Sequence, residues 1–127
     1  MRSILFAVLL LSALPVAFGT TDSPLFSVKQ ESNNSIIHLT GTNTAQSPIL
    51  AYVVVAEIGR SRKTWKRVCN TGEELKPGMS IEIGTMNTGT ESGVANVVVD
   101  YVRLGDGTKW GPATTEEAKE IEARFKK

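Results

Sequence analysis

The sequence predicts an all-β protein, an antiparallel β-sandwich of about seven strands that ends in one short helix. Three observations predict it. From Leu25 onward, brief apolar stretches are separated by clusters of Gly, Pro, Asn and Ser, the spacing of short strands joined by turns. Within several stretches apolar and polar residues alternate with a period of two, as they do on a half-buried strand. Only the C-terminal tail changes to the helical period.

The first nineteen residues stand apart from this pattern. Arg2 gives a positive start, Ile4 to Phe18 is almost wholly apolar, and Ala17-Phe18-Gly19 ends the run on small residues at the two positions a signal peptidase reads. This is the layout of a secretory signal peptide, with cleavage expected after Gly19. The run is shorter than the roughly 20 residues a membrane helix needs, and Pro15 suits a cleavage region. The competing reading is an uncleaved N-terminal anchor. Cleavage leaves about 108 residues, residues 20–127, the usual size of one domain. The expectation is a secreted or periplasmic protein with no stable membrane span after cleavage.

The elements follow in order. Thr20 to Pro24 reads as a polar lead-in. Leu25 to Gln30 is a strand, Glu31 to Ser35 a turn, and Ile36 to Thr42 a strand with Ile37 and Leu39 on one face and His38 and Thr40 on the other. Gly41 to Pro48 is a polar bend. Ile49 to Ile58 is apolar on both faces, which marks a central strand covered on both sides. Gly59 to Lys63 is a charged turn and Thr64 to Cys69 a half-buried strand. Asn70-Thr71-Gly72 turns the chain, and Pro77-Gly78 suits a type II turn before a strand from Met79 to Gly84 with Ile81 and Ile83 inward. Thr85 to Gly93 is a polar loop.

Val94 to Leu104 is the longest strand, with Val97, Val99 and Tyr101 on one face and Val98, Val102 and Leu104 on the other. Asp106-Gly107 is a turn signal, and Lys109-Trp110 a short return strand stopped by Gly111-Pro112. The helix is expected over about 114–126. Ala118, Ile121 and Phe125 share a face, Thr114 and Glu117 form a capping-box pattern, and acidic Glu116 and Glu117 precede basic Arg124, Lys126 and Lys127, as the helix dipole favours.

The bend Thr42-Asn43-Thr44-Ala45 before Ile49 to Val55, the turn Leu75-Lys76-Pro77-Gly78 before a strand, and the closing run from Val99 to Pro112 with its Asp106-Gly107 and Trp110-Gly111 together resemble immunoglobulin-like and fibronectin-III-like domains of exported bacterial proteins. The resemblance spans most of the processed chain. It implies an immunoglobulin-like antiparallel β-sandwich and no particular activity. The Cys-Trp-Cys spacing of antibody domains is absent.

Charge and composition narrow the function. The chain carries 14 Lys and Arg against 13 Asp and Glu, so nothing in its overall charge points to nucleic acid. One cysteine, Cys69, allows no intrachain disulfide; it reads as a small buried hydrophobe, as a reactive thiol beside Lys66 and Arg67, or as a partner in a disulfide between chains. One histidine and scattered carboxylates give no metal-ligand spacing. There is no nucleophile-elbow or phosphate-loop motif, so neither an enzyme nor a cofactor is expected. Asp100 is expected to point outward from its strand and Asp106 to form a turn.

Three places are candidates for binding a partner. Arg60, Arg62, Lys63, Lys66 and Arg67 crowd around Trp65 and either grip a polyanion by charge and stacking or keep an edge strand from aggregating. Asn87 and Thr88 lie in the polar loop, which is either a recognition loop or a connector. Trp110, between glycines, is either a platform for a sugar or a plug packed on the C-terminal helix. The expected function is therefore a non-catalytic exported module that binds a protein or an anionic glycan. The alternative is a structural subunit that assembles through an open sheet edge or its helix, and a third reading, which the residues favour least, is a small hydrolase.

Overall fold

The structure, a computed structural model, describes residues 20–21, 23–89 and 94–126 of the 127-residue chain. The predicted signal segment, residues 1–19, lies outside the described residues, as do residues 90–93 of the predicted loop and Lys127. In chain order the elements are β1 (Thr20–Thr21), β2 (Phe26–Asn33), β3 (Ile36–Asn43), β4 (Ile49–Ile58), β5 (Ser61–Val68), β6 (Ser80–Asn87), β7 (Asn96–Leu104), β8 (Lys109–Trp110) and α1 (Glu116–Phe125).

They form two sheets and one helix in three layers. The smaller sheet has the order β2-β3-β6 and the larger β1-β7-β4-β5, with β8 also on β7. All pairs are antiparallel except β1 with β7, which is parallel. Between the sheets lie Phe26, Val28, Ile37, Leu39 and Met86 from the smaller, and Tyr52, Val54, Ala56, Val97, Val99, Val102 and Leu104 from the larger. The Phe26 and Tyr52 rings stack across this interior at 4.8 Å. The second apolar face of β4 is covered by α1: Ala51, Val53 and Tyr101 pack with Ala118 and Ile121, flanked by half-buried Val68, Ala113 and Phe125. The two-sided apolar pattern of β4 thus has a sheet on one side and the predicted helical face on the other.

A β-bulge in β7 changes what the alternation predicts. Val54 pairs with Val99 but Val53 pairs with Tyr101, so Asp100 is the extra residue. The face assignment holds only as far as Val99. Beyond it, Tyr101 crosses to the helix side, while Val102 and Leu104 join Val97 and Val99 in the sandwich. Asp100 does not point to solvent: it is 1% exposed.

Other boundaries also move. Strands β2, β5 and β6 extend into residues read as turns or loop, so the tight turns shrink to Asn34-Ser35 and Gly59-Arg60. The lead-in contains β1. The helix cap is Thr115, whose side chain accepts from the Ala118 amide, not Thr114. The type II turn is formed as expected, with Gly78 at φ 82° and the Met79 amide bonded to the Lys76 carbonyl at 2.9 Å.

The crossovers between sheets meet at Asn43, which is 1% exposed. Its Nδ2 donates to the Ser47 carbonyl at 3.0 Å and the Leu75 carbonyl at 2.8 Å, and its Oδ1 accepts from the Ala45 amide at 2.8 Å. Its backbone amide donates to the Met79 carbonyl and its carbonyl accepts from the Gly78 amide. One buried amide therefore ties the β3–β4 bend to the β5–β6 crossover.

Candidate functional site

β5 is an edge strand, paired among the described residues only with β4. Its side chains alternate between the two faces of the larger sheet, and this divides the basic cluster. Lys63, Trp65 and Arg67 turn toward the smaller sheet. The Trp65 ring lies against Gly84 of β6, where an added Cβ would come within 2.3 Å of Nε1, so only glycine leaves room for the indole. Lys63 Nζ donates to the Thr85 carbonyl at 3.3 Å and sits 5.5 Å from the Trp65 ring centroid. Trp65 is half-buried and closes the gap between the edges of the two sheets. Below it the gap opens as a cleft of about 90 Å³ lined by Arg67, Glu73, Leu75, Met79 and Ile81.

Arg62 and Lys66 turn to the opposite face, beside α1. Arg62 Nε is 3.6 Å from Glu57, and Lys66 Nζ is 3.3 Å from Glu120. Arg60 is exposed in the β4–β5 turn. Cys69, beside the Arg67 guanidinium, holds the Arg67 pKa up, and Cys69 is half-buried. All five cations are exposed. The ion pairs among them are solvent-facing and worth about 0–1 kcal/mol each, so they do not tie the charges down.

The structure brings part of the polar loop to the same edge. Asn87 ends β6, two residues beyond Thr85, which the Lys63 ammonium holds. Asn87 is exposed, and its Oδ1 accepts from the Gly89 amide at 2.8 Å. Thr88 is 6% exposed, and its amide and hydroxyl both donate to the Ser35 carbonyl, so these two bonds fasten one end of the sandwich. Trp110 lies elsewhere. It pairs with Val102 and packs half-buried on the sandwich core rather than on the helix.

A second cluster is invisible in the sequence and surrounds α1. The helix has ten residues and fully buries only Ala118 and Ile121. An isolated helix of fewer than about 12 residues is marginal in water, so so small an apolar face needs polar anchors. Asp100 supplies the first. Its two carboxylate oxygens accept four hydrogen bonds of 2.7–2.9 Å from the amides and hydroxyls of Thr114 and Thr115. Glu122 supplies the second, accepting from the Tyr101 hydroxyl at 2.6 Å and from Lys109 Nζ at 2.9 Å, with Arg103 at 3.5 Å. The Arg103 guanidinium in turn lies over the Phe125 ring, 4.5 Å from its centroid.

These contacts set the tyrosine ionisation. Burial, followed by the hydrogen bond to Glu122, pushes the Tyr101 phenol up to about 12; burial also raises Tyr52. These are the two tyrosines of the chain. A folded value above the unfolded one means that the stabilisation is complete below about pH 10 and is lost as pH rises through the folded value. Spectrophotometric titration at 295 nm is expected to show both phenols ionising above pH 10 in the folded protein, with cooperative loss of structure on the same rise. A normal phenol titrating near pH 10 without unfolding would contradict this packing.

The outer face of the smaller sheet is polar and carries an open depression of about 910 Å³ lined by Glu31, His38, Thr40 and Glu82. His38 Nδ1 is 3.9 Å from Glu82. Among the described residues, no three His, Cys, Asp or Glu side chains gather to hold a metal ion, and no helix is long and apolar enough to cross a membrane. No family model, characterised protein sequence or solved structure matches the chain.

Proposed function

We propose that this chain is an exported, non-catalytic β-sandwich module of the immunoglobulin-like kind that grips an anionic glycan along the β5 edge. The observation that carries this reading is the run of five exposed cations between Arg60 and Arg67 on a strand that, among the described residues, has no strand neighbour on its outer side. Alternation places them on both faces of one rim. A polyanion lying along that rim meets Lys63 and Arg67 from one side and Arg62 and Lys66 from the other, with Arg60 at the end. The division of strands between the sheets, with the chain crossing from β3 to β4, from β5 to β6 and from β6 to β7, supports the immunoglobulin-like reading of the fold.

Trp65 supports the grip indirectly. Its ring is packed on Gly84, so it holds β5 against β6 and fixes the spacing of the charges beside it. Binding of this kind is electrostatic and weakens as salt screens it.

The test uses heparin as the anionic glycan probe. Affinity measured by titration calorimetry is expected to fall at least about tenfold between low salt and physiological salt. Replacing Arg60, Arg62 and Lys66 together by serine is expected to weaken low-salt binding by at least about tenfold, with the melting temperature nearly unchanged because all three are exposed. Absence of binding at low salt, or equal binding by the triple variant, sinks the reading. Retention of an acidic protein but not of heparin would assign the same edge to a protein partner instead.

A further inference from the structure

We propose that the free edge of β2 pairs antiparallel with β2 of a second copy, about a two-fold axis at Gln30, joining two three-stranded sheets into one. This goes beyond glycan binding and uses a different edge of the molecule.

The edges of this fold are not equally protected. An unprotected edge strand is a template for another chain, and proteins guard edges with charge of one sign, bulges or cover. β5 carries its row of cations. β6 is bulged at Ile83, because Leu39 pairs with Gly84 and Thr40 with Glu82, and its edge is further covered by Trp65 and Lys63. The outer edge of β7 is taken by β1 at Val97–Val98, by the Ala113 amide at the Asp100 carbonyl, and by β8 at Val102–Arg103. Among the described residues β2 has none of these. It runs eight residues in unbroken register with β3, and among the described residues it has a strand neighbour on that side only.

Its charges select the partner. Lys29 and Glu31 are exposed on the outer face of the sheet, two residues apart and opposite in sign. Neither forms an ion pair within the chain among the described residues. In an antiparallel pair centred on Gln30, Lys29 lies opposite the second copy's Glu31, and Glu31 opposite its Lys29. Symmetry makes the contact twice, as an isologous dimer requires. Two lysines at these positions would repel a second copy; a lysine and a glutamate attract one. The same register sets Val28 opposite the second copy's Ser32. The Gln30 side chain stays where it is, its amide group bonded to the Ala95 carbonyl at 2.9 Å and the Ala95 amide at 3.0 Å.

Sedimentation velocity on the purified chain tests this. A monomer–dimer equilibrium is expected within the micromolar to roughly 1 mM range. Lys29→Glu places like charges opposite each other twice and is expected to raise the dimer Kd at least about tenfold. The double swap Lys29→Glu/Glu31→Lys restores both opposite-sign pairs and is expected to return the Kd to within about threefold of the parent value. Both positions are exposed, and unchanged melting temperatures show that the variants fold. As a second measurement on the unaltered protein, amide exchange at Val28 and Ser32 is expected to slow as concentration rises. A monomer at all concentrations, a dimer indifferent to Lys29→Glu, or a double swap that fails to restore it overturns the proposal.

Discussion

Asp100→Ala is expected to release α1 from the larger sheet and to cost about 3 kcal/mol, because hydrogen bonds to a buried charge are worth about 1.5–3 kcal/mol and their orphaned donors add a desolvation penalty. The variant removes all four bonds to Thr114 and Thr115, and the Thr115 amide and hydroxyl are left buried with no acceptor. For a domain of about 100 residues this lowers Tm by about 10–20 °C. A second readout distinguishes helix release from general weakening. Tyr101 owes its raised pKa to cover by α1 and to Glu122, so in Asp100→Ala its titration is expected to move back toward pH 10 while Tyr52 stays high. Unchanged stability, or a Tyr101 titration that does not move, would show that the helix is held by something else.

The same carboxylate contributes to the acid limit of the fold. Burial pushes its pKa up, but the four hydrogen bonds outweigh burial and hold it below the usual carboxylate range. Asp106 is lowered by bonds from Thr108, and Glu122 by bonds from Tyr101 and Lys109. Carboxyls with depressed folded values bind fewer protons in the folded state, so their stabilisation is complete above about pH 4 and is lost as pH falls through the folded values. In Asp100→Asn the decline of stability below pH 4 is expected to be shallower, since this buried contributor no longer titrates.

The second large effect is expected at Asn43. Asn43→Ala removes three hydrogen bonds from a buried amide, leaving the half-buried Ser47 carbonyl and Ala45 amide without this partner and the Leu75 carbonyl with the Ile49 amide alone, at about 3 kcal/mol. Asn43→Asp is expected to be worse at neutral pH, although it is nearly isosteric. One oxygen still accepts from Ala45, but the other faces two carbonyl oxygens where Nδ2 donated. Protonation of that buried carboxyl supplies the missing donor. Asn43→Asp is therefore expected to gain stability as pH falls from 7 toward 5, opposite in sign to the acid loss set by Asp100. Urea unfolding at the two pH values measures both. An Asn43→Asp protein as stable as the parent at pH 7 would mean that the crossovers are not tied through this side chain.

The fold class and most of the interior were legible from residue order. Ile37 and Leu39 are inward because alternation on a strand with one wet face allows no other placement, and Val97 and Val99 share one face as their spacing requires. The two-sided apolar run of β4 announced a central strand, and Ala118, Ile121 and Phe125 announced the face that covers it. The strand ends were not legible where strands lie at the rim. Glu31–Asn33 and Ser61–Lys63 are strand by hydrogen bonding to a neighbour, yet water reaches both their faces, so no apolar period marks them. The candidate cations were found as a sequence cluster. That β5 sends them to opposite faces follows from its being paired to β4 as a strand rather than read as a turn.

By itself the sequence determined a β-protein with a C-terminal helix, the residues that fill its interior, and a local density of positive charge between Arg60 and Arg67. These depend on short-range period and composition, which a chain carries without folding. Tertiary structure alone decided the bulge that moves Tyr101 to the helix side, the burial of Asp100 under Thr114 and Thr115, the meeting of Tyr101, Arg103, Lys109 and Glu122, the seat of Trp65 on Gly84, and which edges stay open. Each joins residues far apart in the chain. A bulge shifts the phase of a strand by one residue to suit its neighbour, and an edge exists only once the other strands have chosen theirs.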